Sequence, residues 1–169
     1  MTELLLNENE LKLVHLTGCI ESMSQAARLA DALIEADEKG RDTEMWAAAY
    51  MMLVIQYCKP FKASLDEKRQ PHFLDRPDYL SASQLTVHDR LIELRDRFIA
   101  HRDLQFLGQN VGYLTDGENA YPIACKKEHT VEAPDVEQIQ ELIKIVRENV
   151  ARTNAALMRE LTTSSAREF

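Results

Sequence analysis

The segment LRDRFIAHRD, residues 94–103, groups arginine, aspartate and histidine side chains around a Phe-Ile-Ala core. If it is helical, each residue turns the chain by about 100°, and basic residues recur at seven-residue spacing at His88, Arg95 and Arg102. Two apolar rows flank them: Leu85, Ile92 and Ile99 on one side, and Val87, Leu91, Leu94 and Phe98 on the other. Burying an unpaired charge costs several kcal/mol. Arg95 therefore requires a carboxylate, a partner subunit or a bound anion.

Simpler interpretations exist for each of these basic residues. An intramolecular ion pair would satisfy Arg95, since the chain holds 28 acidic residues, and His88 alone fits a hydrogen-bonded histidine in or beside the core. In an ideal helix the ring of His101 lies about 120° around from Arg95 and about 9 Å further along the axis. The two meet only if the helix ends or distorts near Ala100, or across a two-fold axis between two copies.

Four helices are predicted from apolar residues at helical spacing. The first covers about residues 9–38. The second starts at Asp42 or Thr43, stops before Pro60, and is expected at the buried centre because it is apolar nearly all round. The third is capped by Ser81 or Ser83 and runs to about Ala100. The fourth starts near Pro134 and presents one apolar face: Val136, Ile139, Ile143, Val146, Val150 and Leu157.

The connecting segments have different patterns. Residues 60–80 carry three prolines among mixed charges, which is typical of an irregular connection over the surface. Alternation around Val111 and Tyr113, an Asp-Gly pair, and renewed alternation up to Cys125 predict a small β-hairpin before the C-terminal helix. The tail, about residues 162–169, is expected to be frayed.

Composition limits the classes of protein that the chain can belong to. With 169 residues, 45% of them hydrophobic, it is expected to form a single domain over residues 1–169. The net charge of −8 repels phosphate backbones, so any contact with nucleic acid must be local. The N-terminus lacks the pattern of a leader, and the longest apolar run is too short for a bilayer, so we expect a cytoplasmic protein without membrane contact. The cysteines Cys19, Cys58 and Cys125 lack metal-site or disulfide spacing and are expected to be buried thiols.

Arg95, the polar Asp96 after it, His101 and then Asp103 together resemble the signature of the HEPN superfamily. That signature is an arginine, four to six residues of which the first is polar, and a histidine; the Ala-His-x-Asp form is similar to that of abortive-infection-type HEPN proteins of bacteria. The family carries it at the end of the third helix of an all-α, up-and-down bundle of four to five helices. The resemblance covers most of the chain in architecture and about ten residues in specific sequence.

The resemblance implies a metal-independent endoribonuclease or RNA-binding protein of bacterial defence or toxin–antitoxin type, with no cofactor and no metal. His101 would exchange protons with the RNA, and Arg95 would stabilise charge on the phosphate. Asp96 and Asp103 would support them. The candidate phosphate contacts are His88, Arg97 and Arg102. We expect a homodimer through the third-helix region, with RNA and a cognate antitoxin as candidate partners.

Two alternatives remain open. The chain could be a non-catalytic HEPN dimer that acts as a binding or antitoxin module. It could also be a magnesium-dependent all-α nucleotide pyrophosphohydrolase, because carboxylates recur at helical spacing on the first and last helices, at Asp31, Glu35, Glu38, Glu137 and Glu141. Acidic helix faces are usually only solvated. EDTA distinguishes the predicted endoribonuclease from the pyrophosphohydrolase, because it abolishes only the magnesium-dependent activity.

Overall fold

A computed structural model describes residues 6–39, 43–62, 64–65, 71–96, 109–115, 120–126 and 133–165. Four α-helices dominate these ranges: α1 (Glu8–Lys39), α2 (Thr43–Cys58), α3 (Ala82–Glu93) and α4 (Val136–Ser165). The helix α1 packs against both α2 and α4, and α3 packs against α2 and α4. The prediction of a helical bundle is confirmed. Along the described ranges, no helix combines the length and the apolar character needed to span a bilayer.

The pairing of α1 with α4 forms the largest part of the core. A reciprocal capping arrangement starts α1, because the backbone N–H of Glu10 donates to Asn7 Oδ1 (3.0 Å) and that of Asn7 donates to Glu10 Oε2 (2.7 Å). The buried residues of α1 are Leu16, Cys19, Ser22, Met23, Ala26, Ala30 and Leu33. All six residues of the predicted apolar face of α4 are buried, together with Leu142. Both helices therefore form where apolar periodicity places them.

The helix α2 is not the fully buried centre that its composition predicts. Tyr50, Leu53, Val54, Tyr57 and Cys58 are buried, but Met45, Met51 and Met52 are 71%, 41% and 45% exposed. Its neighbours are α1 and α3, so within the described residues only part of its circumference is covered. A helix with apolar residues on nearly every side is therefore not necessarily buried on every side.

The described residues between α2 and α3 include short regular elements. A 3-10 turn spans Lys59–Phe61, and a two-residue antiparallel ladder joins β1 (Ser64–Leu65) to β2 (Pro71–His72). The N–H of Leu74 donates to the carbonyl oxygen of Pro60 (2.8 Å), which ties the two ends of the segment together. Pro60, Pro77 and Leu80 are buried, so the connection contributes apolar surface to the interior.

The ends of α3 and α4 are defined by local hydrogen bonds. Ser81 caps α3 in a capping box with Gln84, as one of the two predicted caps. The helix α4 continues to Ser165, into the tail that is expected from the sequence to be frayed. The partly buried Leu161 packs against the core, and Thr162 donates to the carbonyl oxygen of Met158 (2.8 Å); fraying of the tail stays a prediction.

Two further strands precede α4. The strands β3 (Gln109–Thr115) and β4 (Ala120–Lys126) pair antiparallel, with a register that runs from Gln109↔Lys126 to Thr115↔Ala120. These strands span the segment in which apolar and polar residues alternate.

The thiols of Cys19 and Cys58 are free and buried, as predicted from the sequence. Burial raises the pKa of Cys19 to about 11 and that of Cys58 to about 12. The Cys58 thiol donates to the carbonyl oxygen of Leu91 (3.4 Å), which joins α2 to α3. Both groups are therefore protonated at neutral pH.

Candidate functional site at the end of α3

His88 lies in the core between α2 and α3. It is 3% exposed, and its Nδ1 is hydrogen-bonded to the hydroxyl of Tyr57 (2.8 Å). The ring of Phe61 packs edge-on against the imidazole, with 4.7 Å between centroids. Burial lowers the pKa of His88, and this effect exceeds the opposing attraction of Asp89. His88 is therefore a neutral, hydrogen-bonded core histidine.

This position corrects the prediction of a phosphate contact at His88. A phosphate outside the bundle cannot reach a side chain that aromatic rings cover, and a neutral imidazole offers it no charge. The simpler interpretation, a hydrogen-bonded histidine of the core, describes the structure. Helical periodicity placed His88 on the same row as Arg95, but it contained no information about what covers each residue.

Arg95 lies seven residues further along, in different surroundings. Leu94, Arg95 and Asp96 form a π-type turn directly after α3. The guanidinium of Arg95 donates to Asp96 Oδ1 (2.8 Å), and its side chain is 32% exposed. A π-type turn holds more residues than an α-helical one and changes the angular position of the residues after it. Ala100, near which the meeting of Arg95 and His101 requires the helix to end or distort, lies outside the described residues.

Lys62 is the second cation of this region. It follows the 3-10 turn after α2, and its ammonium group donates to Asp96 Oδ2 (2.5 Å). Burial alone would raise the pKa of Asp96, but the hydrogen bonds from Lys62 and Arg95 outweigh it and hold that pKa below its usual value. A single carboxylate therefore bridges two cations. We call Lys62, Arg95 and Asp96 the α3-end cluster.

Two members of this cluster were predicted from the sequence, and Lys62 was missed. Asp96 accepts a hydrogen bond from Arg95 and is half-buried, and its supporting role in catalysis stays a prediction. Lys62 is 34 positions before Asp96, and no periodic pattern connects residues that far apart. The remaining predicted site residues, Arg97, His101, Arg102 and Asp103, lie outside the described residues, and their roles stay predictions.

Other charges of α3 form surface pairs. Arg76 donates to both oxygens of Asp89 (3.1 and 2.7 Å), and Arg90 pairs with Glu93 (2.7 Å). The Arg76 guanidinium holds the pKa of Asp89 below its usual value. Each of these pairs joins one cation to one carboxylate, whereas in the α3-end cluster two cations share one carboxylate.

Two of the carboxylates proposed for magnesium, Asp31 of α1 and Glu141 of α4, line the same groove. Asp31 of α1 accepts a hydrogen bond from Gln140 of α4 (2.6 Å), and the groove beside this contact is also lined by Lys144 and Arg147. Among the described residues, no group of three or more His, Cys, Asp or Glu side chains is placed to hold a metal ion. The side chain of Glu38 lies outside them. The pyrophosphohydrolase alternative stays a prediction from the sequence.

Comparisons with known proteins do not assign a family. The chain matches no protein-family model, no curated protein and no solved structure. The HEPN resemblance therefore depends on the signature residues and on the helical architecture alone.

Proposed function

We propose that the α3-end cluster binds the phosphate of RNA, and that the chain is a HEPN-type, metal-independent endoribonuclease or RNA-binding protein of bacterial defence or toxin–antitoxin type. The observation that carries the proposal is the sharing of one carboxylate, Asp96, between Lys62 and Arg95. Three charged groups that sum to a positive charge, at a half-exposed place on an acidic protein, favour an anionic ligand.

The geometry of the cluster suits a phosphate. The side chains of Lys62 and Arg95 are 28% and 32% exposed, so a ligand can reach them from solvent while their stems remain covered. A guanidinium supplies paired donors that match phosphate oxygens, and an ammonium group adds a point charge. A phosphodiester can thus take the place of Asp96 against one cation while Asp96 keeps the other.

Cleavage would need the predicted histidine. The RNA 2′-oxygen attacks the adjacent phosphorus, the bond from phosphorus to the 5′-oxygen breaks, and a 2′,3′-cyclic phosphate and a 5′-hydroxyl result. His101 would accept the proton of the 2′-hydroxyl or deliver one to the leaving oxygen, a task that suits histidine because an ordinary imidazole changes its charge near neutral pH. Arg95 would stabilise the charge that develops on the phosphate. Asp103 would orient His101, and Arg97 and Arg102 are candidate contacts to neighbouring phosphates.

Two copies of the site would supply both proton-transfer roles. A homodimer through the third-helix region would juxtapose two α3-end clusters and two His101 side chains, and the summed positive charge would form a cleft on an otherwise acidic assembly. Light scattering of the purified protein measures this expectation directly. A monomer at all concentrations would contradict the paired site.

RNA binding and cleavage are tested with a labelled single-stranded RNA in EDTA. Arg95→Ala should weaken binding roughly tenfold and reduce the slope of log affinity against log salt by about one. His101→Ala should bind as wild type does and lose cleavage. Arg95→Lys keeps the charge but loses the paired donors, and is expected to lie between wild type and Arg95→Ala.

Arg159→Ala is the matched control, because it removes an exposed arginine from the far end of α4. Binding by wild type without any cleavage would favour the non-catalytic binding module. Equal RNA affinity of wild type, Arg95→Ala and Arg159→Ala would refute the phosphate site.

A further inference from the structure

A cavity of about 480 Å³ lies between the N-terminal part of α1, the middle of α4 and the segment 73–79. Its volume is in the range of small-molecule sites. None of the three residues of the α3-end cluster is among its lining residues, so it is distinct from the proposed phosphate site. We call it the α1–α4 cavity.

Aromatic rings contribute to the walls of the α1–α4 cavity. Phe61, Phe73 and Tyr79 line it. Phe73 and Tyr79 are 50% and 41% exposed, which is unusual for rings of this size. Phe61 also makes the edge-on contact with His88. The faces of such rings carry partial negative charge and attract organic cations.

The charges around the cavity favour a cation as well. Three carboxylates line it, those of Glu8, Asp75 and Asp78, together with two cations, Lys12 and Arg76, and the imidazole of His15. Both oxygens of Asp89, a residue outside the cavity, accept from Arg76 and balance its charge. Lys12 follows Glu8 by four positions on α1, the spacing of a favourable helix pair. Asp75 and Asp78 add negative charge, which repels phosphates and attracts cations, and Arg152, close to Tyr79, offsets part of it.

We propose that the α1–α4 cavity binds a small organic cation of the alkylammonium class. Tyr79 and Phe73 offer ring faces to the apolar body of the cation, and Asp75 and Asp78 supply the negative charge. A nucleotide fits the volume but not the charge, because its phosphates would stand beside three carboxylates. The cation site does not depend on the proposed action on RNA.

Binding is tested by NMR titration of the full chain with tetramethylammonium, with tert-butanol as a neutral molecule of similar shape. Tetramethylammonium should shift resonances of segment 73–79, and tert-butanol should shift them far less. Adenosine monophosphate tests the opposite charge. Equal responses to tetramethylammonium and tert-butanol, or tighter binding of the nucleotide, would overturn the proposal.

Variants locate the site. Tyr79→Leu should weaken tetramethylammonium binding roughly threefold to thirtyfold, the range expected for one cation–π contact, and Asp78→Asn should weaken it by a smaller factor. Glu160→Gln removes an exposed carboxylate of α4 that does not line the cavity and should have no effect. If Tyr79→Leu alters the circular dichroism spectrum, Phe73→Leu replaces it. Unchanged binding by a folded ring variant and by Asp78→Asn would also overturn the proposal.

Discussion

The sequence predicts His88 and Arg95 on one row of the same helix, yet in the structure one belongs to the core and the other to a half-exposed charged cluster. His88 faces Tyr57 and Phe61, whereas Arg95 shares Asp96 with Lys62 at the end of α3. The imidazole can lose its charge when it is buried, but the guanidinium cannot. The angular position of a residue on a helix therefore does not determine whether it is buried. Its position along the helix axis and the groups that pack against it determine this.

The largest difference between the two regions is expected in stability. Leu91→Ala truncates a side chain with 0% exposure and should lower the free energy of unfolding by about 2–5 kcal/mol. Arg95→Ala, at the half-exposed end, should lower it by less than about 1 kcal/mol. Denaturant titration measures both. Similar losses would mean that the end of α3 is as much a part of the core as its middle.

The hydrogen bond of His88 provides a second test. Tyr57→Phe removes the partner of a buried imidazole nitrogen and should lower the free energy of unfolding by about 1–3 kcal/mol. Tyr79→Phe removes the hydroxyl of a half-exposed ring and should change it by less than about 0.5 kcal/mol. If Tyr57→Phe is as stable as its control, the bond between Tyr57 and His88 does not stabilise the core.

The pH dependence of stability should distinguish the buried histidine. Burial lowers the pKa of His88 from its usual 6.5, so the unfolded chain takes up a proton more readily than the folded one. The stability that neutral His88 contributes is complete above 6.5 and is lost as the pH falls from there towards the folded pKa. The difference in free energy of unfolding between wild type and His88→Gln should therefore be smaller at about pH 5 than at about pH 8. A constant difference would contradict a neutral histidine.

The smallest effect is expected at Asp96. Its pKa is held below the usual 3.8, so its ion pairs contribute stability that is present above that value and lost as the pH falls through the folded pKa. Asp96→Asn should cost at most about 1 kcal/mol at neutral pH, because solvent screens the half-exposed cluster. This difference from wild type should shrink in acid. Asp75→Asn, which lies outside the cluster, serves as the control.

Features determined by local pattern were predictable from the sequence. The apolar faces of α1 and α4, the cap at Ser81 and the buried thiols each depend on residues within a few turns of one another. The bridge from Lys62 to Asp96 and the pair of Arg76 with Asp89 were not predictable, because they join different segments. The exposure of Met45, Met51 and Met52 on α2 was missed, because composition cannot show on which sides a helix has neighbours.

The protonated state and burial of the two thiols have a practical consequence. A disulfide reagent reacts with thiolate that it can reach, and neither Cys19 nor Cys58 meets that condition while the helices remain packed. The Sγ of Cys58 joins α2 to α3, whereas Cys19 lies in the face that α1 buries. The labelling rate of each cysteine can be followed by mass spectrometry without any introduced probe. The rate at Cys58 would report how often α2 separates from α3, and the rate at Cys19 how often the buried face of α1 opens.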